Sequence, residues 1–359
     1  MAQRTIIPFG PQHPVLPEPI HLDLVLEDEK VIEAIPSVGF IHRGLELLCK
    51  KKSFTDMVFV AERICGICSF IHSVGFCQGV EKIMNLEIPE RAQYLRVFWG
   101  ELSRVHSHLL WLGLAADAIG FESLFMHSWR VREKVLNIFE ETTGGRVIFG
   151  AAKVGGVRKD ISKELLQSIA LKLNDIEEDY RALANVFIND YTINHRWSGV
   201  GYVSKEDAYH SGAVGPTARA SGCKQDLREL RYGGYQYMDF APIVETTGDC
   251  YARALVRVKE IYQAIDLMRQ VFSKIPEGAI EIKVTGFPTG EFFSRVEQPR
   301  GEVVYYIKGD GTNFLDRFRI RTPTFANIPA LLKMLAGCDF ADVPAIVLSI
   351  DPCISCTER

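Results

Sequence analysis

The chain has 359 residues, of which 47% are hydrophobic and 24% charged. This mixture excludes a wholly disordered polymer and supplies enough apolar residues for a large core. The formal net charge of −4 gives no reason to expect nucleic-acid binding. The best apolar run, residues 109–116, ends at Asp117, and the N-terminus lacks the apolar segment of a secretory signal. We therefore expect a globular chain with no transmembrane segment of its own.

The predicted elements begin with strands and continue mostly as long helices. Apolar residues alternate with more polar ones over residues 20–26, and a second strand follows at 31–38. From Arg91 to Leu112 apolar residues recur every three or four positions, and the second half is apolar nearly all round, which predicts a central, buried helix. The same spacing predicts further helices, which cover residues 123–142, 160–190 (with Asp160 or Ser162 as the N-cap candidate) and 249–274.

The remaining segments predict small β elements around this bundle. Residues 303–308 and 314–319 flank Gly309-Asp310-Gly311, which indicates a hairpin. Residues 199–234 are rich in glycine and read as loops, and the chain shows no low-complexity linker and no internal repeat. The expected fold is mainly α with small β appendages (α+β), a central bundle of long helices in a single domain of residues 1–359.

Two Cys-x-x-Cys steps carry the clearest chemical signal. Cys65 and Cys68 stand in the segment RICGIC, and Cys353 and Cys356 in the segment DPCISC. Each step lets two thiolates converge on one metal, and four sulfurs favour soft or borderline metals. The nine cysteines fit a reduced, metal-binding protein better than a disulfide framework, which is typical of shorter secreted chains. Zinc ribbons separate their pairs by about 15–20 residues, whereas 285 positions (353 − 68) separate these. Spacing alone leaves zinc, an iron–sulfur cluster and nickel with iron open.

The residues around the cysteines resemble one family. Residues 63–72 (RICGICSFIH) and 351–359 (DPCISCTER) are similar to the paired signatures of nickel–iron hydrogenase large subunits, and residues 43–46 (RGLE) and 298–301 (QPRG) resemble two further motifs of that family. The resemblance covers essentially the whole chain. Residues 10–14 (GPQHP), 101–109 (ELSRVHSHL) and 215–222 resemble the related quinone-site subunit of respiratory complex I. This combination is typical of energy-converting, Ech-type hydrogenases.

Two alternatives remain beside the hydrogenase interpretation. One is a quinone-reacting subunit of the complex I type, and the other is a non-enzymatic scaffold stapled by zinc. The complex I subunit lacks the four cysteines and holds its quinone with a His and a Tyr, where this chain has Pro17 and Phe76. Neither side chain can donate a hydrogen bond, which disfavours quinone chemistry.

The resemblance implies a nickel–iron centre whose iron carries one carbon monoxide and two cyanides. Cys65 and Cys353 would be terminal nickel ligands, and Cys353 would also be catalytic because a terminal thiolate can accept a proton. Cys68 and Cys356 would bind nickel and bridge to iron.

Further residues receive roles from the same resemblance. Arg300 would stand over the open coordination position and the cyanides, although a surface arginine is the alternative. Thr324 would donate to a cyanide or merely occupy a turn, and Asp351 would orient Arg300 or merely cap a turn. Glu18 would accept the proton; the alternative is an exposed acid in a loop. Glu46 resembles a ligand of a second site for magnesium or iron, but the usual C-terminal His is replaced by Arg359, with which Glu46 could instead form an ion pair.

The expected activity is the reversible interconversion of hydrogen with protons and electrons. Electrons must leave through a partner, because no cysteine set for an iron–sulfur cluster remains once four are used. The resemblance implies an iron–sulfur small subunit as that partner, ferredoxin as the donor to the complex, and membrane-arm subunits that move ions. It also implies a peripheral position on the cytoplasmic face of the cell membrane.

Overall fold

The computed structural model describes residues 4–14, 16 and 18–359. The N-terminal part forms an antiparallel sheet of three strands in chain order, β1 (Arg4–Phe9), β2 (His21–Glu27) and β3 (Lys30–Ser37). Leu22, Leu24 and Leu26 face the core, because alternate side chains of a strand point to the same side. The predicted alternation is confirmed.

Helices build most of the remaining chain. In chain order they are α1 (Met57–Glu62), α2 (Ser69–Ile83), α3 (Glu90–Asp117), α4 (Glu122–Thr143), α5 (Lys163–Asn189), α6 (Tyr191–Trp197), α7 (Lys205–His210), α8 (Gly215–Arg219), α9 (Cys250–Lys274), α10 (Pro323–Leu335), α11 (Val343–Ser349) and α12 (Ile354–Thr357). Short 3-10 helices cover Leu45–Lys50, Leu227–Leu230, Tyr235–Tyr237 and Phe340–Asp342.

The four long helices predicted from the sequence are α3, α4, α5 and α9. Helix α3 is buried nearly all round and packs against both α4 and α9. Ser162 caps α5 by accepting from the backbone N–H of Leu165, and Asp249 caps α9 by accepting from that of Ala252. These helices form the predicted central bundle.

The remaining strands lie in two small antiparallel sheets. Strands β4 (Ala152–Lys153) and β5 (Gly156–Val157) pair with each other, and β6 (Thr289–Gln298), β7 (Gly301–Asp310) and β8 (Leu315–Arg321) form a sheet in that order. The predicted hairpin is β7–β8. Its partner β6 and helix α2, which packs on this sheet, were not predicted.

Glycines on α2 permit this close packing. A Cβ atom added at Gly75 would lie 2.3 Å from the ring of Tyr305, and one added at Gly79 would lie 2.5 Å from Ile307. The fold is therefore α+β, with a helical bundle beside a C-terminal sheet. Within the described part of the chain, no helix combines the length and hydropathy that crossing a bilayer requires.

Candidate metal centre

The four cysteines predicted as ligands converge in the interior. The Sγ atoms of Cys65 and Cys353 are 3.3 Å apart, and those of Cys68 and Cys356 are 3.7 Å apart. All four side chains are buried. Cys65 and Cys68 lie in the turn that enters α2, while Cys353 immediately precedes α12 and Cys356 lies within it. The expectation that the two segments meet at one buried site is therefore met.

These separations suit one shared ion. Sulfurs bound at about 2.3 Å to one tetrahedral metal stand about 3.8 Å apart. The ligand atoms of Cys65, Cys68 and Cys356 all lie within 4.8 Å of one another, and Cys353 joins them through its contact with Cys65. The donor set thus fits a soft-metal centre.

The electrostatics of the thiols also indicate a place for a cation. Hydrogen bonds from neighbouring thiols, that of Cys353 first, hold the pKa of Cys65 well below its ordinary value, whereas burial raises the pKa of Cys356. The thiols by themselves therefore do not all ionise together. A bound cation changes this balance, because coordination deprotonates thiols outright.

Arg43 holds the two cysteine segments together. Its guanidinium donates to the carbonyl oxygens of Arg63 at 2.9 Å and Ile64 at 2.7 Å, and to that of Ser355 at 3.2 Å. The rigid fork of an arginine side chain can bind several carbonyl groups at once. This residue of the RGLE motif thus joins both Cys-x-x-Cys segments, a role that the sequence analysis did not assign.

His72 contacts a cysteine directly and was also not assigned a role. Its Nε2 lies 3.3 Å from Cys356 Sγ, and its Nδ1 lies 2.6 Å from the hydroxyl oxygen of Tyr305. Burial lowers the pKa of His72 to about 4, so the ring is neutral. If a bound metal ionises Cys356, the thiolate can only accept, so Nε2–H would donate to Cys356 and the Tyr305 hydroxyl would donate to Nδ1. Its position four residues after Cys68 was the feature of the sequence that could have indicated this contact.

Arg300 lies beside the thiols and is bound by Asp351. Arg300 Nη2 is 2.8 Å from Asp351 Oδ1, Nε donates to the Asp351 carbonyl at 2.9 Å, and Nη1 is 3.4 Å from Ser107 Oγ. Burial alone would lower the pKa of Arg300, but Asp351 and the cysteine sulfurs raise it, so the side chain stays charged. Asp351 has a φ of 56°, a left-handed conformation that aspartate tolerates better than most residues. The buried position argues against the surface-arginine alternative.

Thr324 also contacts a cysteine segment. Its hydroxyl oxygen accepts from the backbone N–H of Cys353 at 3.0 Å, and the side chain is buried. The hydroxyl hydrogen remains available to donate to another group.

Glu18 lies between the cysteines and an open cleft of about 440 Å³. Its Oε2 accepts from the backbone N–H of Ile354, and from that of Ser355 at 3.3 Å. Burial raises the pKa of Glu18 and negative charge on Cys65 adds to this, while Arg300 and the two N–H groups oppose it. The carboxyl group can therefore exchange a proton more readily than a solvated glutamate.

Glu46 is bound by protein groups. Its Oε1 accepts from Arg359 Nε and from the backbone N–H of Ile320, each at 3.0 Å. The carboxylate thus has the arginine partner that the sequence offered as the alternative to a metal. The other oxygen, Oε2, lies 3.5 Å from Nη1 of Arg319.

Phe76, which replaces the quinone-binding Tyr of the complex I subunit, lies in an apolar environment. Phe76 is fully buried, and its ring packs edge-on against Phe318 with centroids 5.3 Å apart. Pro17, the other residue of that comparison, lies outside the described residues.

The fold thus places four buried thiols, a set that could hold a metal ion, beside a helical bundle. The family model described as the 49 Kd subunit of respiratory-chain NADH dehydrogenase matches residues 118–287 and 282–359, and that of nickel-dependent hydrogenase matches residues 43–115. The chain belongs to the family that unites the complex I 49 Kd subunit with the large subunits of membrane-bound hydrogenases.

Individual relatives agree with this membership. The chain is 37% identical to the membrane-bound hydrogenase subunit alpha of Pyrococcus furiosus, with 98% of this chain and 87% of that protein covered. It is also 37% identical to the carbon monoxide-induced hydrogenase of Rhodospirillum rubrum, with 98% and 99% covered. Among solved structures, a chain of the membrane-bound sulfane sulfur reductase, an archaeal respiratory membrane complex, matches with a TM-score of 0.94 at 30% identity, covering 99% of this chain and 98% of that chain.

Proposed function

We propose that the chain is the catalytic subunit of an energy-converting, membrane-associated nickel–iron hydrogenase that interconverts hydrogen with protons and electrons. The observation that carries this proposal is the convergence of the thiols of Cys65, Cys68, Cys353 and Cys356 at one buried point. The relatives include complexes whose names specify different substrates, so fold alone does not select the activity. The four cysteines favour the hydrogenase among these activities.

The proposed centre would be held by these four sulfurs, with Cys68 and Cys356 also bridging to iron. When bound, the nickel–iron group with its carbon monoxide and cyanide ligands supplies a redox-active centre at which hydrogen is split. Arg300, fixed by Asp351, would hold a positive charge and forked donors beside it. Thr324 would offer its hydroxyl hydrogen to a cyanide.

Proton movement would use Cys353 and Glu18. A proton on the Cys353 sulfur can pass to the carboxylate of Glu18. The negative charge of Glu18 contributes to raising the pKa of Cys353, and the Glu18 side chain lines the open cleft. From there it reaches solvent. Since Arg359 already binds Glu46, the proposal uses no step through magnesium.

We further propose that electrons leave through an iron–sulfur small subunit, with ferredoxin as the electron carrier and membrane-arm subunits that move ions. The names of the relatives support membership in a membrane complex. We place the chain on the cytoplasmic face and treat residues 1–359 as one domain, since both terminal segments contribute to the same cysteine cluster.

The complex I-type quinone subunit remains the second candidate, because its family model matches the longer part of the chain. The zinc-stapled scaffold is a third, since zinc accepts the same four sulfurs. Infrared spectroscopy and elemental analysis of the purified complex separate them. The hydrogenase gives carbonyl and cyanide bands with stoichiometric nickel and iron. Stoichiometric zinc without these bands means a scaffold, and absence of all metals at the thiols with quinone reduction means the complex I type.

A further inference from the structure

A cluster of buried charges, which includes none of the four cysteines, joins side chains of helix α3 to side chains of α8, α9 and strand β6. It is formed by side chains that contact one another as ion pairs, and we call these the buried ion cluster: Glu101, Arg104, His108, Arg219, Asp226, Arg228, Glu260 and Glu297. Their side chains are at most 2% exposed. Transfer of ions from water to the interior costs free energy even when the ions are paired, so a cluster of eight such side chains suggests a role other than stability.

The contacts form an unbroken chain from α3 to strand β6. His108 Nε2 is 2.8 Å from Glu260 Oε2, and Glu260 Oε1 accepts from Arg219 Nη2 at 2.6 Å. Arg219 Nη1 then donates to Glu297 Oε1 at 2.8 Å. Four side chains from α3, α9, α8 and β6 are thus linked through short contacts.

The outer end of this chain reaches a cavity. Glu297 and Asp226 help to line a cavity of about 300 Å³, whose other charged residues are Lys224, Glu229, Arg295 and Glu302. A cavity of this size with polar walls can hold water. Glu297 therefore lies where a buried carboxyl group can meet solvent.

The inner end faces polar atoms that lack a partner among the described residues. These are Nδ1 of His108, Nε and Nη2 of Arg257, and Oδ2 of Asp351, all buried. Buried polar atoms are normally satisfied by protein groups or by ordered water. The charge of Arg257 acts on both His108 and Asp351, and Asp351 binds Arg300, so these groups lead from the cluster towards the Arg300–Asp351 pair.

The charges within the cluster do not balance. It contains four carboxyl groups, of Glu101, Asp226, Glu260 and Glu297, but three guanidinium groups, of Arg104, Arg219 and Arg228. One added proton makes the ionised groups equal in number. Burial, followed by the charge of Asp226, raises the pKa of Glu297 to about 7, while arginine neighbours, Arg219 first, outweigh burial and hold the pKa of Glu260 well below its ordinary value. The pKa of Glu297 stays raised although Arg219 and Arg104 oppose the rise, whereas that of Glu260 is lowered, so the added proton belongs on Glu297.

We propose that the buried ion cluster holds one exchangeable proton and passes it, through Glu260 and His108, between solvent at Glu297 and the interior beside Arg300. Each step moves one proton and no electrons. Glu297 first releases its proton to solvent and becomes a carboxylate. Because the Glu260 carboxylate can only accept, His108 carries its proton on Nε2, so it takes a new proton at Nδ1 from the interior and gives the Nε2 proton to Glu260. Glu260 then protonates Glu297 through one water molecule, which can span the two carboxyl groups because both bind the same guanidinium. Arg219 keeps its charge throughout.

The stored proton does not depend on the hydrogenase assignment, whereas its use during turnover rests on the proposed function. The first measurement is therefore spectroscopic and uses the purified complex. In infrared spectra recorded from pH 5 to pH 9, a carboxylic-acid band should titrate near pH 7 and be absent from Glu297→Gln. Glu302→Gln is the matched control, since Glu302 lines the same cavity but lies outside the cluster, and it should keep the band. A band that persists in Glu297→Gln, or no titrating band in the unmodified complex, overturns the stored proton.

The second measurement tests transfer. Glu297→Gln should lower hydrogen turnover about three- to tenfold, less than the loss of a sole proton relay, because the Glu18 path remains. The metal bands should not change, and Glu297→Asp, which restores a titratable group, should recover most of the turnover. Unchanged turnover in Glu297→Gln overturns the path. If the complex has no hydrogenase activity but the carboxylic-acid band titrates as expected, the proposed function fails and the proton store stands.

Discussion

The Sγ atoms of Cys65 and Cys353 lie 3.3 Å apart although 288 positions separate the two residues. A metal bound across this pair closes a loop that includes most of the chain. Closing such a loop restricts the unfolded chain, and a ligand that binds only the folded state also stabilises it. Metal content and the stability of the fold should therefore be linked.

Replacing either cysteine that we propose to bridge nickel and iron tests the shared metal site. Cys68→Ser and Cys356→Ser should each lose nickel and turnover, because a hydroxyl group is a poor ligand for a soft metal. Elemental analysis and the thermal unfolding midpoint measure the outcome, and the midpoint should fall together with the nickel content. Cys338→Ser is the control, since Cys338 is half-buried and is not one of the four cysteines of the candidate metal centre. Full nickel content in either bridging variant would contradict the assignment.

Glu18→Gln tests the proton relay between Cys353 and the cleft. Glutamine keeps an oxygen that can accept from the N–H groups of Ile354 and Ser355, but it cannot carry a proton. Turnover and hydrogen–deuterium exchange should fall by about 100-fold or more, with unchanged metal content and infrared bands. The matched control is Glu33→Gln, an exposed glutamate on β3, which should behave as the unmodified protein. Near-normal exchange would refute the relay, and loss of nickel would mean that Glu18 is structural.

Arg300→Lys tests whether the shape of the guanidinium matters beyond its charge. Lysine keeps a positive charge but cannot reproduce the contacts with both the carboxylate and the carbonyl of Asp351. We expect turnover to fall about 10- to 100-fold, as for other groups that support a metal centre. The cyanide bands should also shift while nickel is retained. Arg295→Lys, on the exposed side of β6, should leave both readouts unchanged. Identical bands in Arg300→Lys would count against a position beside the iron ligands.

The pairing of Glu46 with Arg359 predicts that magnesium is not required. Incubation of the complex with EDTA should leave turnover and nickel content unchanged, because the Glu46 carboxylate is already bound by Arg359 and by the N–H of Ile320. Glu46→Gln should lower the free energy of unfolding by about 1.5–3 kcal/mol, the usual range for a hydrogen bond to a charged group. Loss of turnover in EDTA that added magnesium restores would show that the site holds a metal.

Much of the fold followed from local patterns. Helices α3, α4, α5 and α9 were predictable because each has a regular apolar face, and the hairpin β7–β8 because its turn residues stand between strand-like segments. Helix α2 was missed because it is buried on nearly every side and has no polar face to reveal its period. The reason for the glycines in α2 is visible only in the folded chain, where Tyr305 and Ile307 of β7 leave no room for a Cβ atom.

The sequence by itself determined the chemistry of the ligands. Two cysteines three residues apart can reach one metal whatever the rest of the chain does, so each pair of ligands was readable from local spacing, and the resemblance of the flanking residues assigned both pairs to one site. The tertiary structure decided which distant groups meet: the two cysteine segments joined by Arg43, the contact of His72 with Cys356, and the ion cluster around Arg219. The physical reason is that contacts across hundreds of residues depend on how helices and sheets pack. No local spacing encodes the distance between groups that only packing brings together.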